Sequence, residues 1–150
     1  MALSNAVTFL VSQSQALAPS SSAGLIRSYV IPTSDTQYAT QSLRVYTTDC
    51  AAGIIGLLTQ NQTDTAWNVA TALSNVQSVT GSWNIYVNQN DPSASAQIYT
   101  RVDSTSMAVY GLTYAYRSAP SHPSSSKWLT SIGKGITWLN GRKIAATGLL

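Results

Sequence analysis

The chain has 150 residues, of which only 9% are charged, and it carries a net charge of +3. A hydrophobic share of 44% with twelve Tyr and Trp residues excludes an intrinsically disordered chain, the length indicates one domain over residues 1–150, and no apolar run reaches the roughly 18 residues of a membrane span. The single cysteine, Cys50, excludes an intrachain disulfide and is expected to be a small buried side chain.

The first half of the chain predicts short strands and one helix. Apolar and β-branched residues favour strands over residues 6–12, 24–31 and 43–48. Thr63 or Asp64 can cap a helix, because apolar side chains then fall on one stripe. That stripe consists of Ala66, Val69, Ala70, Leu73 and Val76. A second helix over residues 50–58 is not predicted, because the segment is short and interrupted by glycine.

Three segments in the middle of the chain predict a sheet. Residues 82–88 and residues 97–103 alternate between apolar and polar side chains, and a turn over residues 90–93 separates them. Residues 109–117 are rich in β-branched and aromatic side chains. This pattern predicts a three-stranded antiparallel meander with one face on the core.

The Asn140-Gly141 pair near the end of the chain predicts a β-hairpin. Asn-Gly supplies the positive φ angles of a two-residue type I′ turn, which would join residues 136–139 to residues 142–145. The alternative is a helix over residues 127–139 that ends at Asn140-Gly141. Gly133 and Gly135 would weaken that helix by about 1 kcal/mol each relative to Ala, so we favour the hairpin.

The predicted fold class is therefore mainly β, with α+β as the alternative. We expect an antiparallel sheet or sandwich with a central three-stranded meander and one or two short helices. The pattern does not choose between a sandwich and an open sheet with helices on one face.

The chain lacks the side-chain groupings of an enzyme. Its one histidine, His122, lies in a Ser-rich loop over residues 118–126 and is expected to be exposed to solvent. The five aspartates all stand beside turn or cap residues, where local hydrogen bonds explain them. Nucleophile elbows, phosphate-binding loops and metal-ligand spacings are missing. The sequence predicts no catalytic residue, no metal and no cofactor.

The predicted sheet offers one candidate binding face. Tyr86, Tyr99 and Arg101 share the polar side of their strands, and Arg117 follows on the next strand. Tyr rings among guanidinium groups can stack bases and meet phosphates. The alternative is that the rings cover a half-buried sheet beneath the alkyl stems of the arginines.

The last third of the chain offers a second candidate surface. Residues 104–150 contain five basic residues and no acidic one. Basic side chains alternate there with tryptophans: Lys127, Lys134, Arg142 and Lys143 with Trp128 and Trp138. The basic groups are expected to neutralise phosphates, and the tryptophans to anchor a subunit interface. The eight Tyr, Arg and Lys residues of these two surfaces are our candidate nucleic-acid contacts.

The composition suits a subunit that is covered by copies of itself. Ser, Thr, Asn and Gln make up 56 of the 150 residues, and such side chains are buried at lower cost than a lone charge. In size and composition the chain resembles the small coat proteins of single-stranded RNA viruses and phages. The resemblance implies a large homo-oligomer in the virion, assembled in the host cytoplasm, with RNA held on its inner face. An Arg-rich N-terminal arm, common in such coats, is missing, because the first basic residue is Arg27.

We therefore expect a structural subunit of a viral capsid or helical particle that contacts the genome through basic and aromatic side chains, without a membrane. Two alternatives remain. A carbohydrate- or surface-binding β-domain would use exposed tryptophans to stack on sugar rings. A phage tail or pilus-like filament subunit would assemble in the same way without nucleic acid.

Overall fold

A computed structural model describes residues 2–15, 24–28, 33–36, 44–88 and 100–143, and every structural statement below concerns these residues. They form five helices and one two-stranded sheet. In chain order the elements are α1 (Ala2–Gln15), β1 (Arg44–Tyr46), α2 (Thr47–Thr59), α3 (Thr63–Asn75), β2 (Tyr86–Asn88), α4 (Val102–Ser118) and α5 (Ser125–Asn140). The predicted mainly β class is wrong, because helices dominate this part of the chain.

Helices α2, α3, α4 and α5 form two helical hairpins, each made of two consecutive helices. Residues 60–62 join α2 to α3, and residues 119–124 join α4 to α5. The hairpins pack through α2 and α4, which approach so closely at Gly111 that a Cβ there would lie 2.9 Å from the Cα of Ala51. The small antiparallel sheet joins the segments before the two hairpins, and it pairs Val45 with Val87.

Trp83 lies at the centre of the core. Its side chain is fully buried, and its indole Nε1 donates a hydrogen bond to the carbonyl of Leu73 at 2.8 Å. Its backbone N–H donates to Oγ1 of Thr105 at 3.1 Å. Trp83 therefore ties α3 of the first hairpin to α4 of the second.

Among the described residues, the predicted meander is wrong at its second and third strands, and its first strand is shorter than predicted. From residues 97–103, Thr100 forms only an isolated bridge and residues 102–103 lie in α4, while residues 97–99 and the turn over residues 90–93 lie outside the described residues. Residues 109–117 lie in α4, whose buried residues recur every three or four positions: Ser104, Thr105, Ala108, Gly111, Leu112 and Ala115. The aromatic and β-branched residues that suggested a strand lie on the more exposed faces, where packing does not oppose a helix. From residues 82–88 only β2 is a strand, and Asn84 forms an isolated bridge with Thr100.

The predicted hairpin around Asn140-Gly141 is also wrong. The alternative helix is correct, because α5 runs to Asn140 and Gly141 caps its end. Gly135 is buried where a Cβ would collide with Val109 and Trp83, so tertiary packing offsets its low helix propensity. Residues 144–145 lie outside the described residues.

The elements predicted for the first half of the chain are confirmed only in part. The helix starting at residue 63 is confirmed, although Gln62 precedes it and no side chain caps it. The segment over residues 50–58, which we did not predict as a helix, lies in α2. The strand over residues 6–12 is wrong, since it lies in α1. Residues 24–28 form a turn and irregular backbone, and residues 29–31 lie outside the described residues. From residues 43–48, Arg44–Tyr46 is a strand and residues 47–48 begin α2, while residue 43 lies outside the described residues.

The two hairpins repeat each other in their buried positions. Five buried residues of α2 recur in α4 at an offset of 58: Thr47, Cys50, Gly53, Ile54 and Leu57 against Thr105, Ala108, Gly111, Leu112 and Ala115. Four of α3 recur in α5 at an offset of 62: Ala66, Val69, Ala70 and Leu73 against Trp128, Ser131, Ile132 and Gly135. Each hairpin is preceded by a glycine with positive φ, Gly24 at 93° and Gly81 at 95°. The fold therefore consists of two similar helical hairpins packed on each other.

No helix among the described residues combines the length and the apolar character that crossing a membrane requires.

Candidate nucleic-acid interface

The predicted Tyr and Arg binding face is not a single surface. Tyr86 lies on β2, where its half-buried ring stands under the guanidinium of Arg44, with 4.7 Å from Cζ to the ring centroid. Arg101 immediately precedes α4 and forms an ion pair with Asp103 at 3.2 Å. Arg117 lies in the last turn of α4, about 24 Å along the helix axis from Arg101. Tyr99 lies outside the described residues.

The structure brings Lys127 and Lys134 together in one groove. The two lysines are seven residues apart on α5, which places them on the same side of the helix, both exposed. That side faces the end of α3 and the loop after it. The groove has a volume of about 420 Å³ and is lined by Ser74, Gln77, Ser78, Val79, Ser126, Lys127, Thr130, Ser131 and Lys134.

Gln77 fixes the loop that forms one wall of the groove. Its side-chain Nε2 donates to the carbonyl of Gly81 at 2.8 Å and to the carbonyl of Ser131 in α5 at 2.9 Å. Gly81 is required there, since its φ is 95° and a Cβ would lie 2.6 Å from the carbonyl oxygen of Lys134. The wall is thereby held against α5.

The same loop presents hydroxyl groups at the rim of the groove. The Oγ of Ser78 and the Oγ1 of Thr80 lie 3.0 Å apart, and Thr80 is also 3.0 Å from the Oγ of Ser82. Between the first two, Val79 is completely exposed. Hydroxyl groups of this kind donate readily to phosphate oxygens.

The electrostatics of the groove favour an anion. Not one of its lining residues is acidic, and the Lys127 ammonium donates to the neutral side-chain amide oxygen of Asn75. The first turn of α5 contributes Ser126 and Lys127 and contains no acidic residue. The partial positive charge of this helix N-terminus therefore adds to the lysine charges.

Arg142 and Lys143 lie beyond the other end of α5. Both are exposed, and the Arg142 guanidinium stacks over the half-buried ring of Trp138 at 4.6 Å. Cations at this position also stabilise a helix C-terminus. They follow the helix that carries Lys127 and Lys134 but lie outside the lining of the groove.

Trp128 is buried inside the chain and leaves no surface for a partner. Its ring stacks on His122 with 4.7 Å between centroids and 11° between planes, and its Nε1 donates to Oγ1 of Thr71 at 3.2 Å. His122 also lies 5.1 Å from the Trp67 ring. The expected exposed loop histidine is therefore half-buried between two tryptophans, where it packs the α4–α5 loop against α3.

Sequence reasoning missed the aromatic surface of α4. Tyr110 and Tyr114 are exposed and one helical turn apart, with ring centroids 5.0 Å apart and a hydroxyl–hydroxyl hydrogen bond of 3.3 Å. That hydrogen bond raises the pKa of Tyr110. A cavity of about 430 Å³ adjoins Tyr114 and is also lined by Leu58, Thr59, Arg117 and Ser118. The spacing of four residues between Tyr110 and Tyr114 is typical of one face of a helix. The β-branched and aromatic residues around them, however, predict a strand.

Within the described ranges, no group of three or more His, Cys, Asp or Glu side chains is arranged to hold a metal ion. Comparisons of the chain with protein-family models, with curated proteins and with solved structures found no match.

Proposed function

We propose that the protein is a self-assembling structural subunit that holds nucleic acid in the groove of Lys127 and Lys134, in the manner of a viral coat subunit. The observation that carries the nucleic-acid part is the groove itself, because two exposed lysines converge on a surface without acidic side chains. Such a surface attracts the phosphate backbone without reading sequence.

The scarcity of charge supports the assembly part of the proposal. Only 9% of the residues are charged, whereas about 25% is usual in soluble domains. A surface of neutral hydroxyls and amides loses little free energy when another copy covers it, provided that its hydrogen bonds are replaced. In a coat, that covering is provided by neighbouring subunits.

Binding of labelled single-stranded RNA, measured by fluorescence anisotropy over a salt series, tests the groove. We expect Lys134→Gln to weaken binding and to lower the slope of log K against log salt by about 0.7, the value for one lost phosphate contact on a single strand. The matched control is Arg101→Gln, which removes one positive charge already paired with Asp103. The groove would not be the binding site if the wild type showed no salt-dependent RNA binding, or if both variants lost the same amount of RNA affinity.

Electron microscopy of the purified protein tests assembly. Particles that absorb more strongly at 260 than at 280 nm are expected for a coat subunit with its genome. Filaments free of nucleic acid would instead favour the tail or pilus alternative.

The tyrosines of α4 favour a second candidate function, the binding of a carbohydrate. Exposed Tyr110 and Tyr114 next to a cavity with Arg117 and two hydroxyl groups can stack on a sugar ring and bond to its hydroxyls. Titration with neutral and acidic oligosaccharides, measured by isothermal calorimetry, tests it. Binding that Tyr114→Ala abolishes and Lys134→Gln leaves unchanged would identify this function.

A further inference from the structure

The repeat of the two hairpins identifies the surface through which one unit holds the next. In the first hairpin, α3 contacts the second hairpin through Trp67, whose ring lies 5.1 Å from His122, and Thr71, whose Oγ1 accepts the hydrogen bond from Trp128. Ser74, one turn further, lines the groove shared with α5. These three residues form the contact stripe of α3.

The offset of 62 residues places the equivalent stripe of α5 at Leu129, Gly133 and Ile136, which we call the open face. The equivalent α3 residues contact the second hairpin through the α4–α5 loop and α5. The open face, in contrast, is exposed: Leu129 has 49% and Ile136 45% of its surface accessible. A Cβ at Gly133 would find no atom within 4 Å. The face therefore has the position of a hairpin–hairpin interface without the next hairpin among the described residues.

The outer side of the first hairpin is already covered. Leu25 and Ile26 are buried against the first hairpin, where the backbone N–H of Ile26 donates to the Sγ of Cys50 at 3.4 Å. Leu10 of α1 packs against the same hairpin near Gly56. A second copy cannot add head to tail at this end without displacing these residues.

The open face is complementary to itself. Leu129 and Ile136 lie four and three residues from Gly133, so a two-fold axis beside Gly133 brings Leu129 of one copy against Ile136 of the other. Glycine at the axis permits a close approach of the two helices, because no side chain separates them. The stripe carries no charge, since Lys127 and Lys134 lie on the opposite side of α5, in the lysine groove.

We propose that the open face binds a second copy of this chain, with the two α5 helices antiparallel about a two-fold axis beside Gly133. The inference deepens the proposed function by naming one contact of its self-assembly and rests on it to that extent. It does not involve the lysine groove.

Oligomeric state, measured by sedimentation over a concentration series, provides the first test. We expect the wild type to dimerise or to assemble further, and Ile136→Asp to lose this association at the same concentrations. The matched control is Phe9→Asp, which adds the same charge at another exposed apolar side chain outside the groove and is expected to associate like the wild type. Association that persists in Ile136→Asp, or a wild type that is monomeric at all concentrations, would overturn the proposal.

Disulfide cross-linking of the full chain tests the geometry. Gly133→Cys places two thiols at the proposed axis, within the Cα separation of less than about 7 Å that a disulfide needs. Cys50 is fully buried and does not compete. We expect oxidation to yield a covalent dimer of Gly133→Cys and none of Phe9→Cys; equal cross-linking of both, or of neither, would contradict it.

The two proposals fail separately. RNA binding retained by monomeric Ile136→Asp would leave the groove intact without the dimer, and dimerisation retained by Lys134→Gln would leave the open face intact without RNA binding. Loss of RNA binding by Lys134→Gln therefore does not bear on the second copy.

Discussion

The thiol of Cys50 is the most strongly perturbed titratable group of the described residues. It is fully buried in α2, and its Sγ donates a hydrogen bond to the carbonyl of Ile26 at 3.7 Å. Burial raises the pKa of the thiol from 9.0 to about 12, because the thiolate would lose its solvation. The expected buried side chain is confirmed, and the reactive form of the thiol is suppressed.

We expect native Cys50 to resist alkylation at pH 8. A pKa raised from 9.0 to about 12 lowers the thiolate fraction about 1000-fold, and burial also blocks access. The rate of iodoacetamide labelling, followed by mass spectrometry, should rise through the unfolding transition in urea. Labelling of the native protein at the rate of an unfolded control would show that the thiol is accessible.

The same pKa shift predicts a loss of stability at high pH. Since the folded pKa lies above the unfolded value, the contribution of Cys50 is present in full below pH 9 and decreases between pH 9 and about 12. Urea unfolding at pH 8 and pH 10 should therefore show a larger loss for the wild type than for Cys50→Ala. Equal losses in both proteins would contradict the shift.

Among the secondary-structure elements, helix α4 illustrates what the sequence could and could not predict. The stripe that predicts α3 is made of Ala, Val and Leu, which periodicity detects directly. The buried stripe of α4 includes Ser104, Thr105 and Gly111, which are not apolar by the usual scales. Those small residues are buried because α2 and α4 pack closely, and this long-range contact leaves no local signal.

Substitution by alanine should change the free energy of unfolding in opposite directions at Gly111 and Gly133. Gly111→Ala places a Cβ 2.9 Å from backbone atoms of Ala51, which forces the helices apart and is expected to cost about 1–3 kcal/mol of unfolding free energy. In the monomeric Ile136→Asp background, Gly133→Ala meets open space and should stabilise α5 by about 0.5–1 kcal/mol. Urea unfolding measures both changes, and destabilisation by Gly133→Ala together with tolerance of Gly111→Ala would contradict this packing.

The sequence predicted the two lysines of the candidate site, but it did not predict that they share one groove. The basic tail of the sequence already singled out Lys127 and Lys134. Their common groove depends on Gln77 and Gly81, which approach α5 from more than 50 residues earlier in the chain. Arg101 was predicted instead as part of the sheet face with Tyr86 and Tyr99, and the structure pairs its guanidinium with Asp103.

At the scale of the whole molecule, the repeat explains why the two hairpins should unfold together. Trp83 donates to Leu73 in one hairpin and to Thr105 in the other. Neither hairpin alone buries the small residues of α2 and α4, so each depends on the other for its core. The repeat was not predicted from the sequence because the two units share their buried positions but few identical residues.

Trp83→Phe should therefore destabilise the whole chain in one transition. The substitution removes the indole donor to Leu73 and leaves a cavity, so we expect a loss of about 1–3 kcal/mol. Circular dichroism and tryptophan fluorescence should report the same urea midpoint in the variant. Separate midpoints for the two signals would indicate that the hairpins unfold independently.

Helix α1, Leu25 and Ile26 cover the outer side of the first hairpin. This covering limits how many copies can add one after another. If copies join only through their exposed α5 stripes, each pairing consumes both available ends, and the product is a closed dimer rather than a lengthening fibre. A shell or tube built from such pairs must then use a second, lateral contact. The subunit number of any particle should consequently be even.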